Sequence, residues 1–204
     1  MKTLIIGTTN SAKIAQIRDA LVSINVEVVG ISDNKLLPEV VEDGKTVQEN
    51  ARKKAVTYAQ AFGQTVLSMD NALFINGLAS EKQPGIYVRR IGGSLAANDT
   101  ELLEHGTALI KSLGGKAEGY WEYGICISEP DGKFFETTIK TPRVFTSKPS
   151  NKVVQGYPLE SIQIDPETDK YISEMTKEEQ AEFWQRTLGT KLCLFVESVI
   201  GQYP

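Results

Sequence analysis

The chain has 204 residues, 41% of them hydrophobic and 24% charged, with a net charge of −4. That length suffices to bury a real core in one domain, and the balance is that of a globular protein. The acidic sign argues against a broad nucleic-acid or membrane surface, though not against a local cationic pocket for a small anion. Two cysteines and one histidine, far apart in sequence, argue against a zinc site and against Cys–His or Ser–His catalysis. Any chemistry must then rest on carboxylates, lysines and a hard metal. Met1-Lys2-Thr3 leads into an apolar run without a signal pattern, and no run approaches the ~20 residues that span a bilayer, so a cytoplasmic location is expected.

Leu4-Ile5-Ile6 reads as a buried strand, broken by Gly7-Thr8-Thr9-Asn10. A helix follows with Ile14, Ile17 and Leu21 on one face and Lys13 in its first turn. A helix start has N–H groups without intrahelical partners and a partial positive charge, an arrangement that suits phosphate and also occurs as an ordinary βα turn. Val26–Ile31 reads as a second strand, and residues 36–45, from Leu36 to Lys45, as a loop carrying Glu39, Glu42 and Asp43. Thr46-Val47-Gln48-Glu49 is a capping box that opens a helix striped by Val47, Ala51, Ala55, Ala59 and Phe62 and closed by Gly63. Thr65–Met69 is an apolar strand expected to end at Asp70. Asp99 is expected to cap a helix with Leu102, Leu103, Leu109, Ile110 and Leu113 inward, stopped at Gly114-Gly115.

Tyr120–Ile127 and Phe134–Ile139 read as a hairpin across Pro130-Asp131-Gly132, with Arg143-Val144-Phe145 continuing the sheet. A second box, Thr176 to Glu179, opens a C-terminal helix kinked near Gly189 and striped by Leu188, Leu192, Phe195 and Val199. Helices at both ends around a β-rich middle give an α/β fold with a mixed sheet.

Three patterns carry chemistry: Thr8-Thr9-Asn10-x-x-Lys13; Glu42 followed by Glu49-Asn50-Ala51-Arg52-Lys53-Lys54-Ala55; and Asp70 at a strand end before Asn71. Lys13 and Lys54 can neutralise phosphate oxygens, and Glu42 and Asp70 are the hard oxygen donors magnesium takes. Together they suit phosphoanhydride hydrolysis. Read singly, Lys54 is equally a solvated helix residue, Asp70 a turn cap and Glu42 surface charge.

As a set they resemble the inosine-triphosphatase family, which hydrolyses aberrant purine nucleoside triphosphates to monophosphate and pyrophosphate. T-x-N-x-x-K is matched by Thr8 to Lys13, E-N-A-x-x-K-A by Glu49 to Ala55, P-G-x-Y-x-x-R by Pro84 to Arg90, and N-x-x-x-L-L by Asn98 to Leu103. The resemblance implies a long mixed sheet flanked by helices, one domain over residues 1–204 with two lobes and a central cleft, and a homodimer. It implies a nucleoside triphosphate as substrate and Mg2+ as cofactor; the acidic balance already argues for no nucleic-acid or membrane partner. By the same resemblance Asp70 is catalytic, and Glu42 and Asp70 hold the metal. Thr8, Thr9, Asn10, Lys13, Lys54 and Asn71 bind phosphate, and Gln155, Tyr157, Gln180, Gln185 and Arg186 line the base pocket.

The departures concentrate in two places. Gln16 stands where the family has Glu, and Met69, Asn71 and Ala72 replace the usual neighbours of Asp70. The family's G-F-G-[YW]-D-P becomes Val154-Gln155-Gly156-Tyr157-Pro158, its lysine falls at Gln180, and its S-H-R becomes Trp184-Gln185-Arg186. The phosphate end is mostly kept and the base end largely replaced. The same chemistry on a different nucleotide, or a nucleotide-binding protein without catalysis, are the alternatives this division leaves.

Overall fold

The structure is a computed structural model that describes residues 2–31, 37–91 and 96–201. Seven strands form one sheet in the order β2-β1-β3-β4-β5-β6-β7. They are β1 (Lys2–Ile6), β2 (Val26–Gly30), β3 (Val66–Ile75), β4 (Lys116–Ser128), β5 (Phe134–Thr146), β6 (Gln163–Asp165) and β7 (Lys170–Tyr171). The helices are α1 (Ser11–Ala20), α2 (Val47–Phe62), α3 (Asp99–Ser112), α4 (Lys177–Trp184) and α5 (Thr190–Ile200). β1 pairs in parallel with β2 and β3, whereas β5–β6 and β6–β7 are antiparallel, so the sheet is mixed as expected.

The chain divides into two compact units: Met1–Asn71 with Tyr123–Ile139 and Ala181–Pro204, and Ala72–Glu122 with Lys140–Gln180. In the first, Ile14, Ile17 and Leu21 are buried as their spacing predicts. Ala51 and Ala55 of α2 pack with Cys126, and Ala59 and Tyr58 join Ile5, Ile31 and Val66 in a second cluster. The second unit buries Leu73, Ile75, Leu102, Ile110, Phe145, Leu159 and Ile162 together.

Local signals set the starts of α2, α3 and α4. Thr46 Oγ1 accepts the Glu49 N–H at 3.2 Å, and Gly63 closes α2 with φ +63°. Thr176 and Glu179 form the reciprocal box that opens α4. The cap of α3 is Asn98 rather than Asp99: Asn98 accepts the Glu101 N–H and Glu101 returns the bond, leaving Asp99 as the first helical residue. The kink expected near Gly189 is a π-helical turn over Gln185–Gly189 between α4 and α5.

Three strands, β3, β4 and β5, run longer than the sequence suggests. β5 absorbs Arg143-Val144-Phe145, and β4 begins at Lys116. β3 does not end at Asp70 but continues to Ile75. Tertiary partners extend it: Leu73 and Gly85 exchange backbone bonds at 2.9 Å, and the Gln83 carboxamide bonds both the N–H and C=O of Ile75 at 2.8 Å. β2 stops at Gly30, one residue short of expectation. Of the acidic loop, Leu36 lies outside the described residues, while Glu39, Glu42 and Asp43 are within them.

Candidate active site

The turn after β1 lies tight against β3. Gly7 donates to the Leu67 carbonyl at 2.7 Å, and Ser68 Oγ donates to the Gly7 carbonyl at 3.1 Å. A Cβ on Gly7 would fall 2.2 Å from Ser68 Oγ, so only glycine permits this approach. Thr8 Oγ1 accepts the Asn10 N–H, and Asn10 Oδ1 accepts the Lys13 N–H, each at 3.2 Å. Asn10 thus caps α1 and aims the Lys13 stem, while Thr9 is exposed at the tip of the turn.

α2 delivers the second lysine. Of the cations Arg52, Lys53 and Lys54, the helical rotation sends Arg52 to Glu136 (2.9 Å) and Lys53 to Asp43, and turns only Lys54 inward. Asn50, one turn earlier, shares that face; both are buried, at 4% and 7% exposure. β3 supplies the carboxylate. Because side chains alternate along a strand, Ser68 and Asp70 share a face: Ser68 meets the β1 turn and Asp70 meets the lysines. Asp70 lies beyond Leu67, the last β3 residue paired with β1, so it stands past the carboxyl end of β1 although it is within its own strand.

The groups meet closely. Lys54 Nζ donates to Glu42 Oε2 at 2.8 Å and to Asp70 Oδ1 at 3.2 Å, and Lys13 Nζ is 3.9 Å from Asp70 Oδ1. Asn50 Nδ2 donates to Asp70 Oδ2 at 3.1 Å, and Asn50 Oδ1 accepts the Gly44 N–H at 2.9 Å. Burial, and then the neighbouring Lys54, lower the Lys13 ammonium to about 8, with Asp70 and Glu42 opposing.

Lys13, Lys54, Glu42 and Asp70 are therefore brought together, with Asn10 and Thr8 shaping the turn beside them. Asn71 is not: as the neighbour of Asp70 in a strand it faces the opposite side of β3. The sequence patterns assign no role of their own to Asn50 or Ser68. The signal for Asn50 was its place four residues before Lys54, on the same helical face.

The base-pocket residues fall in both units. Gln155 is exposed and Tyr157 half-buried on one turn, and Gln180 is half-buried in α4; these belong to the second unit. Gln185 and Arg186 lie in the π-helical turn of the first unit. The Gln185 side-chain oxygen is buried without a hydrogen-bond partner among the described residues and packs toward Gly189. Arg186 is exposed, its guanidinium 5.7 Å from the Phe183 ring.

Among the described residues no group of three or more His, Cys, Asp or Glu could hold a metal alone. Glu42 and Asp70 do offer two carboxylates, both within 3.2 Å of Lys54 Nζ. Magnesium is commonly held by one or two carboxylates together with substrate phosphates, so this donor set fits that ion with a phosphate ligand present.

A mixed sheet flanked by helices, with lysines and carboxylates gathered past the end of a parallel strand, puts the chain in the class of α/β proteins whose ligands bind outside the carboxyl ends of strands. The Ham1 family model matches residues 4–193, and the chain belongs to that family. It is 28% identical over 180 residues to a dITP/XTP pyrophosphatase of Rhodopirellula baltica, covering 86% of this chain and 83% of the relative. A dITP/XTP pyrophosphatase of an Exiguobacterium species is 27% identical over 180 residues, covering 87% and 88%. The solved Ham1 protein of Staphylococcus aureus superposes with a TM-score of 0.72 at 26% identity, covering 97% of this chain and 99% of that one. A HAM1 protein of Coxiella burnetii, at 19% identity, shares the fold with a TM-score of 0.74, covering 97% and 100%. Among the described residues no helix is long and apolar enough to cross a membrane.

Proposed function

We propose that the chain is a nucleoside-triphosphate pyrophosphatase that clears aberrant purine nucleotides, releasing a monophosphate and pyrophosphate. The observation that carries this reading is the convergence of Lys13, Lys54 and Asn50 on a single side chain, the buried carboxylate of Asp70. The activity of the dITP/XTP pyrophosphatases among the relatives supports it.

In this reading Lys13, Lys54 and the α1 turn of Thr8, Thr9 and Asn10 bind the triphosphate. Lys54 exchanges part of its carboxylate pairing for phosphate oxygens. Asp70, freed on one oxygen and still held by Asn50 on the other, orients the attacking water and accepts its proton. Formal charges of the two lysines and two carboxylates cancel, so a polyanionic substrate needs a further cation. Glu42 and Asp70 would hold Mg2+, which would neutralise phosphate charge and stabilise the leaving pyrophosphate. A homodimer is part of this reading, on the family resemblance.

The base end is read by different groups. Glutamines at 155, 180 and 185 donate and accept but lack the charge and flat face of the residues they replace, and Arg186 keeps a planar donor fork. Discrimination of inosine over adenosine and guanosine triphosphate therefore falls below the family habit, or shifts to another base. The test is turnover over a panel of nucleoside triphosphates with Mg2+, pyrophosphate and orthophosphate measured separately. Pyrophosphate with nucleoside monophosphate, abolished by chelator, is expected. Orthophosphate with nucleoside diphosphate would place the protein in another reaction class, and several-hundredfold preference for inosine would refute the altered base pocket.

A further inference from the structure

Gly156 sits at the third position of a turn closed by the Tyr157 N–H donating to the Val154 carbonyl at 3.0 Å. Its φ of +82° is the value a type II turn requires there, and glycine adopts it without steric cost. Both backbone groups of Gly156 are taken by one ion pair. Its N–H donates to Asp99 Oδ2 at 2.6 Å, and its carbonyl accepts from Arg89 Nη2 at 2.8 Å. Arg89 Nη2 also meets Asp99 Oδ1 at 3.0 Å, closing the ring.

The pair is itself anchored. Arg89 Nη1 donates to the Ala97 carbonyl at 3.1 Å, while the Ala97 N–H donates to the Arg89 carbonyl at 2.7 Å. Asp99 opens α3, whose start is fixed by the Asn98–Glu101 capping box. The Gly156 N–H and the Arg89 guanidinium hold the Asp99 carboxyl below its ordinary value. An exposed ion pair usually contributes little, but a forked guanidinium on a fixed carboxylate and a fixed backbone gives geometric precision. Both residues occupy positions that the P-G-x-Y-x-x-R and N-x-x-x-L-L patterns leave open, so neither was marked by the resemblance.

We propose that Arg89 and Asp99 are positioning residues that fix the Val154–Tyr157 turn for binding the nucleoside end of the substrate, without touching substrate themselves. This rests on the reading of the chain as a nucleoside-triphosphate pyrophosphatase with Gln155 and Tyr157 at the base. The bonds run to backbone groups of Gly156, so the device is independent of which side chains read the base. The triphosphate end is served by Lys13 and Lys54 and does not depend on this turn.

The test compares wild type with Arg89→Ala, Arg89→Lys and Asp99→Asn, each checked for an unchanged circular dichroism spectrum. Pyrophosphate release is measured from inosine, adenosine and guanosine triphosphate, with inorganic triphosphate as a competitor that has no base. Loss of the clamp is expected to raise KM for the nucleotides about tenfold, with kcat changed less than about twofold, the pattern of binding lost equally from ground and transition states. Inhibition by inorganic triphosphate stays at the wild-type value. Asp99→Asn, which keeps the shape, follows Arg89→Ala. Arg89→Lys falls between, because an ammonium reaches Asp99 without forking to Gly156 and Ala97 together. An equal loss of affinity for inorganic triphosphate, or an unchanged nucleotide KM, overturns the proposal. Wild type that releases no pyrophosphate would overturn the functional reading, and this inference with it; normal wild-type turnover with an unmoved KM in the variants overturns this inference alone.

Discussion

The Asn50 carboxamide ties Asp70 to the acidic loop: its Nδ2 donates to Asp70 Oδ2 at 3.1 Å while its Oδ1 accepts the Gly44 N–H at 2.9 Å. One side chain on α2 thereby fixes both a strand carboxylate and the segment that carries Glu42. Asn50→Ala removes the bonds to the Gly44 N–H and to Asp70 Oδ2, while Lys54 still holds Asp70 Oδ1; a buried group left unsatisfied costs about 1–3 kcal/mol. The expected result is a lower urea midpoint together with reduced turnover. A variant of wild-type stability and activity would show that the bridge contributes nothing.

Asp70→Asn keeps the shape of the side chain and removes its charge. Loss of a group that accepts a proton or holds metal is expected to lower kcat by ~10²–10⁴-fold. Glu42 is half-exposed and pairs with Lys54, so Glu42→Gln is expected mainly to raise the Mg2+ concentration needed for half-maximal rate. Near-normal turnover by Asp70→Asn would remove Asp70 from the chemistry.

Lys13→Ala and Lys54→Ala act on the part that all nucleoside triphosphates share. A charge-assisted hydrogen bond contributes about 1.5–3 kcal/mol, so each change is expected to weaken substrate binding about ten- to a hundredfold, by similar factors for every base. KM values across the nucleotide panel check this, and a loss confined to one base would move the lysine concerned into the base pocket.

Glu160 offers a pH test away from these groups. Burial pushes its carboxyl from 4.5 up to about 7, with Arg143 and Lys152 opposing. Between those values the folded chain holds a proton that the unfolded chain has released. Stability therefore falls as pH rises through that window, by at most about 1.4 kcal/mol per pH unit for one group. Glu160→Gln is expected to flatten that part of the profile of thermal midpoint against pH. Identical slopes in the two proteins would exclude Glu160 as the source.

Elements set by local chemistry were legible in the sequence alone: the period of Ile14, Ile17 and Leu21, the Thr46 and Thr176 caps, Gly63 at the end of α2, and the turn around Gly132. Lys13, Lys54 and Asp70 were legible because their spacing matched a known pattern. The length of β3, the bridge made by Asn50 and the Arg89–Asp99 hold on Gly156 were decided only by tertiary structure. Each depends on a partner distant in sequence. Helical period and capping are properties of a few consecutive residues, whereas a strand ends where its neighbours stop supplying hydrogen bonds, and a buried polar side chain settles on whatever donor or acceptor the fold brings to it.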